Sequence, residues 1–424
     1  MPRPSTRPST TTVRDLRLAN RSRALWQVFL NGPLTRQEIG SLAGLSPATV
    51  SNLITALLEE GVVAEVGLEE SNGGRPRGLL QVNPEHGYVI GVDVGETAVL
   101  VELFDLGLQV RARHLSATDT ARLHPQDAVD HIIDGVASVI CQSGVGEQRI
   151  LGVGIGVPGL VEHREDAVVH GQSIGWDTVP LQAMLRGRTR LPILIDNGAK
   201  TLGQAEKWFG AARGTDNAVI VLLGIGVGTC IISDGVLYRG ATSSAGEWGH
   251  TKVIVGGRTC RCGADGCLEA YVGADAIAAR YEQLRRRRTP VSAAGLEGRI
   301  AAIIAGRGRD PVAAQVLEET VTYLGAGIAD LVNLFNPERV VVGGWLGRAI
   351  GGLLPDIRAA AGHYSLRLPF SRVEIVKADL GKDAVALGGA TLPLARLLSA
   401  GVVPGRRDPR QLFGTAGPTS DGAA

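Results

Sequence analysis

Four side chains in one short stretch carry donors for a soft or borderline cation: His250, Cys260, Cys262 and Cys267. One imidazole and three thiolates are the ligand composition of a closed tetrahedral structural zinc site, which leaves no position for a reactive water. Gly263 and Gly266 give the turn between the last cysteines the freedom that wrapping an ion requires, which favours metal over a set of buried thiols around a core histidine. Five cysteines in 424 residues, three of them within eight positions, do not make a disulfide framework. A second kind of chemistry lies in two glycine turns. Val89-Ile90-Gly91-Val92-Asp93-Val94-Gly95-Glu96-Thr97 runs on into apolar Ala98 to Phe104, and Val219 to Leu223 passes through Gly224-Ile225-Gly226-Val227-Gly228-Thr229 into Cys230 to Ile232. Each reads as strand, turn, strand, and the pair predicts two lobes facing across a cleft where the backbone can close on a phosphate.

A third pattern points to a polyanion. The first 25 residues hold Arg3, Arg7, Arg14, Arg17, Arg21 and Arg23 against one acid, Asp15. After them, Thr35 with Glu38 three residues on predicts a capped helix, Gly44-Leu45 a tight turn, and Ser46 with Pro47 the start of a second helix. Val50, Leu53, Ile54, Leu57 and Leu58 form its apolar face and Gly61 its stop, leaving Pro47, Ala48, Thr49, Ser51 and Asn52 for a DNA major groove. Val62 to Val66 and Leu79 to Val82 read as strands joined by a turn with Arg75 and Arg77, placed to reach phosphate or a narrow minor groove. The whole is a winged helix-turn-helix pattern over residues 21–84 behind a basic flexible arm over residues 1–20.

These elements need a folded frame, and the composition supplies one. Hydrophobic residues at 44% and charged residues at 20% are globular values, and the net charge of +1 excludes a uniformly basic protein. No run of 18 apolar residues offers a membrane span, and no export signal is legible, so a cytoplasmic protein without membrane association is expected. From about Tyr88 the chain alternates Gly-rich apolar strands with helical stretches, an α/β texture, and from about Gly401 it turns polar and Pro/Gly-rich, as a disordered tail would.

Gly246-Glu247-Trp248-Gly249-His250, followed by Cys260-Arg261-Cys262-Gly263-Ala264-Asp265-Gly266-Cys267-Leu268-Glu269, resembles the sugar-site and zinc signature of the ROK family, whose name covers repressors, open reading frames and sugar kinases. With the winged helix-turn-helix in front, the similarity runs over residues 13–400 and is to the family's transcriptional regulators. It implies a two-lobed actin-like, hexokinase-like body over residues 85–400, with lobes of about 85–200 plus 382–400 and of 201–381. It also implies a homodimer or homotetramer, and a sugar held by Asn197, Glu247, His250 and Glu269. Where the family often has Asn, Ser173 precedes Ile174-Gly175-Trp176, which points to a changed hydroxyl preference.

Three departures bear on catalysis. The family's kinases carry Glu-Asn-Asp-Ala, with the Asp as base, where this chain has Asp196-Asn197-Gly198-Ala199, and glycine accepts no proton. Glu96 brings a carboxylate into the first phosphate turn, and Ile225 replaces the phosphate-binding Thr of the second, where Thr229 and Cys230 also replace later glycines. The expected function is a sugar-responsive repressor of carbohydrate genes, without kinase activity. It would bind an inverted-repeat operator and respond to a sugar or sugar phosphate. The alternatives are a sugar kinase that also binds DNA, and a regulator whose body binds a protein.

Overall fold

The structure is a computed structural model that describes residues 12–69, 76–118, 123–171, 174–285 and 295–400. It begins with helix α1 (Val13–Asn31), so the arm expected over residues 1–20 is helical from Val13, while residues 1–11 lie outside the described residues. The cause is local: Thr12 caps the helix and Asp15 completes a reciprocal capping box, its carboxylate accepting the Thr12 N–H at 2.9 Å. Just past the arm's expected end, two of the six N-terminal arginines pair within the fold, Arg21 with Glu60 and Arg23 with the Ala43 carbonyl at 3.2 Å. Helices α2 (Arg36–Ala43) and α3 (Pro47–Glu59) follow, capped by Thr35 with Glu38 and by Ser46, and Gly44 turns between them with φ 63°. The wing pairs β1 (Val63–Leu68) with β2 (Gly78–Val82), and Leu34 adds a bridge to Leu80 that sequence reading missed.

The first lobe carries β3 (Tyr88–Val94), β4 (Ala98–Asp105), β5 (Val110–Ala117), α4 (Pro125–Ser143) and β6 (Ile150–Val157). It continues through β7 (Leu160–His163), β8 (Ala167–Gly171) and β9 (Trp176–Val179), a small antiparallel sheet, then α5 (Leu181–Arg186) and β10 (Ile193–Asn197). Its main sheet has the order β10-β6-β3-β4-β5. Helix α6 (Gly198–Phe209) leads to β11 (Ala218–Leu223), β12 (Val227–Ser233) and β13 (Val236–Leu237), then α7 (Glu269–Val272), α8 (Ala274–Arg285), α9 (Gly295–Gly306) and α10 (Pro311–Phe335). The chain then runs through β14 (Arg339–Gly343), α11 (Gly344–Ala349), α12 (Leu354–Tyr364), α13 (Arg367–Phe370) and β15 (Glu374–Lys377) to α14 (Ala384–Ser399).

The second sheet, β13-β12-β11-β14-β15, repeats the logic of the first: an antiparallel hairpin whose first strand continues into two parallel ones. Helix α14 returns to lie on β3 and β6. Its backbone touches theirs directly, because a side chain at Gly154 would put its Cβ 1.9 Å from the Gly389 carbonyl oxygen. Leu394, Leu397 and Leu398 of α14 share one core with Ala24, Leu25 and Val28 of α1 and with Ile54 and Leu57 of α3. The winged module is therefore packed into the body. No single helix among the described residues is long and apolar enough to cross a membrane.

A buried carboxylate contributes to the pH sensitivity of the first lobe. Glu102 on β4 is 1% exposed, with Oε1 3.6 Å from Arg113 and Oε2 without a partner. Burial, and secondarily the Asp383 carboxylate, pushes its pKa up to about 7, against the pull of Arg113 and Lys382. A folded-state pKa above the unfolded 4.5 means stability is full while the group is protonated and is lost as pH rises toward 7. Thermal melts should find Glu102→Gln more stable than the native chain near pH 8 and close to it near pH 5; parallel pH profiles would refute the assignment.

Candidate functional site

In the long loop after β13, Glu247 leads into a short turn of 3-10 helix, Trp248–His250, and the loop closes on α7, whose first residue is Glu269. Between them the four cation donors converge, with one ligand atom from each of His250, Cys260, Cys262 and Cys267 within 4.8 Å of the others. Cys262 Sγ and Cys267 Sγ stand 3.8 Å apart, and Cys260 Sγ stands 3.8 Å from His250 Nδ1. Thiolates holding a tetrahedral ion at about 2.3 Å are separated by about 3.8 Å, so the residues present fit such an ion. Gly263 and Gly266 have φ of 87° and 77°, and a Cβ at Gly266 would meet the Ile254 carbonyl oxygen at 1.7 Å. Lys252, unflagged by the sequence, donates to Cys267 Sγ at 2.9 Å, an outer partner that would offset thiolate charge.

The expected sugar residues differ in what they have free. His250 turns Nδ1 toward Cys260, so a metal and a sugar hydroxyl would use different ring nitrogens. Glu247 is half-buried; burial raises its pKa, and His250 and Lys200 oppose the rise. Glu269 is already engaged, accepting the Val227 N–H at 3.0 Å and lying 3.5 Å from Arg261. Asn197 caps α6, its amide oxygen accepting from Ala199 N at 2.9 Å and Lys200 N at 3.3 Å while its amide nitrogen donates to the Gly159 carbonyl at 2.7 Å. One N–H of that amide remains for a ligand. Ser173 lies outside the described residues.

Between the two glycine turns sits an ion cluster. Arg261 of the cysteine loop forks onto Glu96 of the β3–β4 turn at 2.6 and 3.2 Å, and the cluster packs on Gly226 of the β11–β12 turn. A guanidinium from the second lobe thus meets a carboxylate from the first, with the planar geometry that makes such pairs specific. Sequence reading saw Glu96 only as a source of repulsion; Arg261 was hidden because its partner is 165 positions away.

Gly198 is the first residue of α6. Its backbone has no left-handed φ, and a Cβ there would meet nothing closer than 3.6 Å, an ordinary contact. Neither conformation nor crowding demands glycine, so what the position lacks is a functional group. Two residues earlier, Asp196 is 2% exposed and accepts from Arg239 at 2.6 Å. Burial would raise its pKa, but His163 and Arg239 outweigh it and hold the carboxyl at about 2. A carboxylate so stabilised is a poor proton acceptor.

On the winged module, Pro47, Ala48, Ser51 and Asn52 are exposed along one side of α3. Thr49 is half-buried, its hydroxyl 2.9 Å from that of Ser46. Arg77 is exposed immediately before the second wing strand, and Arg75 lies outside the described residues.

A winged helix-turn-helix packed on a two-lobed, hexokinase-like body defines the class. Residues 89–396 match the ROK family, and the chain belongs to it. It is 30% identical to the xylose repressor of Caldicellulosiruptor bescii over 396 residues, 91% of this chain and 97% of that one. The glucokinase of Streptomyces coelicolor is 31% identical but matches 72% of this chain and 97% of its own. The fold matches a solved ROK family transcriptional regulator, a homologue of the Escherichia coli MLC protein, with TM-score 0.74 and 25% identity over 91% of this chain and 98% of that one.

The Asp196–Arg239 pair gives a direct test of the cleft's electrostatics. Replacing Arg239 by Met strands a buried carboxylate, and since the arginine is 40% exposed the cost should be about 1–3 kcal/mol, below that of a fully buried pair. The native pair stabilises above the ordinary pKa of 3.8 and is lost as pH falls toward 2, so the deficit of Arg239→Met in chemical denaturation should be largest near neutrality and shrink in acid. A pH-independent deficit would contradict this account.

Proposed function

We infer that this protein is a sugar-responsive, DNA-binding transcriptional regulator, a repressor in the cytoplasm, whose kinase-like body binds an effector sugar without phosphorylating it. The observation that carries the second half is the Glu96–Arg261 fork across the two glycine turns, where a nucleotide's phosphates would need positive or neutral backbone. Gly198 at the head of α6, and Asp196 held as a stable anion, leave no base beside it. The first half is supported by likeness over nearly the whole chain to a repressor, where the glucokinase likeness covers less.

In this reading His250, Cys260, Cys262 and Cys267 hold one zinc ion, which fixes the loop bearing Glu247 and Glu269 and supplies no reactive water. Glu247, His250, Asn197 and Glu269 take the sugar hydroxyls, and Glu269 exchanges its hold on Val227 and Arg261 for the ligand. Pro47, Ala48, Thr49, Ser51 and Asn52 read the major groove while Arg75 and Arg77 touch the backbone of an inverted-repeat operator bound by a homo-oligomer.

A thermal-shift screen of sugars and sugar phosphates, xylose and glucose among them, should find a ligand that raises Tm. In a coupled ATPase assay that ligand should give no turnover; a rate above roughly 1 s⁻¹ would establish the bifunctional kinase instead. Elemental analysis should find about one zinc per chain. Cys267→Ser should lose it together with the sugar's Tm shift, and a metal-free native chain with normal sugar binding would reduce the cluster to packing.

A further inference from the structure

Helix α6 has its two ends at two places of different function. Its first turn is at the cleft: Asn197 caps it, Gly198 opens it, and Lys200, 2% exposed, donates to the Ser243 carbonyl two residues before the sugar loop's Ala245-Gly246-Glu247. Its last turn is at the winged module. Trp208, 7% exposed, meets Trp26 edge-on at 5.0 Å and 88°, and Phe29 at 5.9 Å and 76°, while Phe209 meets Phe29 at 6.2 Å. Trp26 and Phe29 belong to α1, whose Leu25 and Val28 pack in one core with Ile39 of α2 and Val50 and Ile54 of α3. Just beyond α6, Arg213 donates to the Leu30 carbonyl at 2.9 Å and to Asn31 Oδ1 at 3.1 Å, gripping the end of α1 from the body.

Between these ends the helix has no room to bend. A Cβ at Gly203 would lie 2.2 Å from Cys230 Cβ, and one at Gly388 of α14 would lie 1.9 Å from the Thr201 carbonyl oxygen. Near the far end, Glu206 accepts N–H groups from Ala211, Leu380 and Asp379 at 2.7, 3.0 and 3.4 Å, which locks α6 to the segment leading into α14. A close-packed, twelve-residue rod of about 18 Å moves as a piece or not at all.

We propose that α6 is the coupling element between the cleft and the DNA-binding module, and that Trp208 and Arg213 are the positioning residues that deliver its displacement to α1 and so to α3. The inference rests on the functional reading above for what binds at each end, but not for the mechanical link itself. Spatial intermediacy alone is not coupling, so the test measures coupling.

Amide hydrogen exchange of the full chain is the first readout. Lys200→Met perturbs only the cleft end, and it should change protection of α1–α3 amides at least threefold. In an Arg213→Met or Trp208→Ala background that change should disappear, with Trp208→Phe retaining it. Sites eight to thirteen positions apart that touch neither each other nor a common partner would otherwise act additively. If Trp208→Ala does not fold, Arg213→Met, a substitution at an exposed side chain, decides the matter. Unchanged α1–α3 protection in Lys200→Met, or an undiminished change in Arg213→Met, would overturn the proposal. The second readout is the affinity for a duplex selected from a random pool, with and without xylose or glucose. The native chain's sugar-induced change should fall at least tenfold in Arg213→Met while each sugar's own affinity stays within threefold. A native chain that shows exchange coupling but selects no duplex and answers to no sugar would sink the regulator reading and leave the coupling intact.

Discussion

Nine of the twelve residues of α6 are buried, from Gly198 to Trp208, and this helix has no continuous solvent face along which it could tilt or fray alone. Strand β10 enters it through Asn197, whose side chain both caps the helix and ties it to Gly159, and β12 and α14 confine it from two sides. The consequence runs outward. Because α14 also sits backbone against backbone on β3 and β6, the first sheet, α14, α6 and the second sheet form a continuous stack with little slack. Small changes in such packing are not absorbed by loose side chains; they are passed on or refused.

The electrostatics of the cleft follow the same economy. Arg261 answers Glu96 and lies near Glu269, Arg239 answers Asp196, and Lys200 is held by a carbonyl, so each of these charges has a partner before any ligand arrives. In a phosphate-transferring site the guanidinium would be aimed at the nucleotide and a carboxylate would wait beside the hydroxyl. Here the guanidinium joins the two lobes. The same guanidinium also lies 3.5 Å from Glu269 within the second lobe, so the contact between lobes and the loop that carries Glu269 share one cation.

The local parts of this architecture were legible in the sequence. The capping box at Thr35, the N-cap at Ser46, the two strand-turn-strand hairpins and the His250, Cys260, Cys262, Cys267 set are each short patterns whose physics is contained within a few residues. The start of α1 was missed although its signal, Thr12 with Asp15, is of the same local kind; the surrounding arginines masked it by suggesting an arm for DNA. Tertiary partners were out of reach. Nothing near Arg261 in the chain announces Glu96, nothing near Trp208 announces Trp26, and the residue type of Asn197 could not tell whether its amide would be spent on a helix cap or kept for a hydroxyl.

The shared core of the winged module and the body sets what regulation can mean in this chain. A module on a free linker would feel a bound sugar only through tethering, which changes local concentration but not the angle of a recognition helix. Here α1 belongs at once to the core around Ile54 and Leu57 and to that around Leu394 and Leu397, so the orientation of α3 is a property of the body's conformation. The influence of any effector is then bounded by its differential affinity for two body conformations, and linkage requires that DNA change the effector's affinity by the same factor as the effector changes that for DNA.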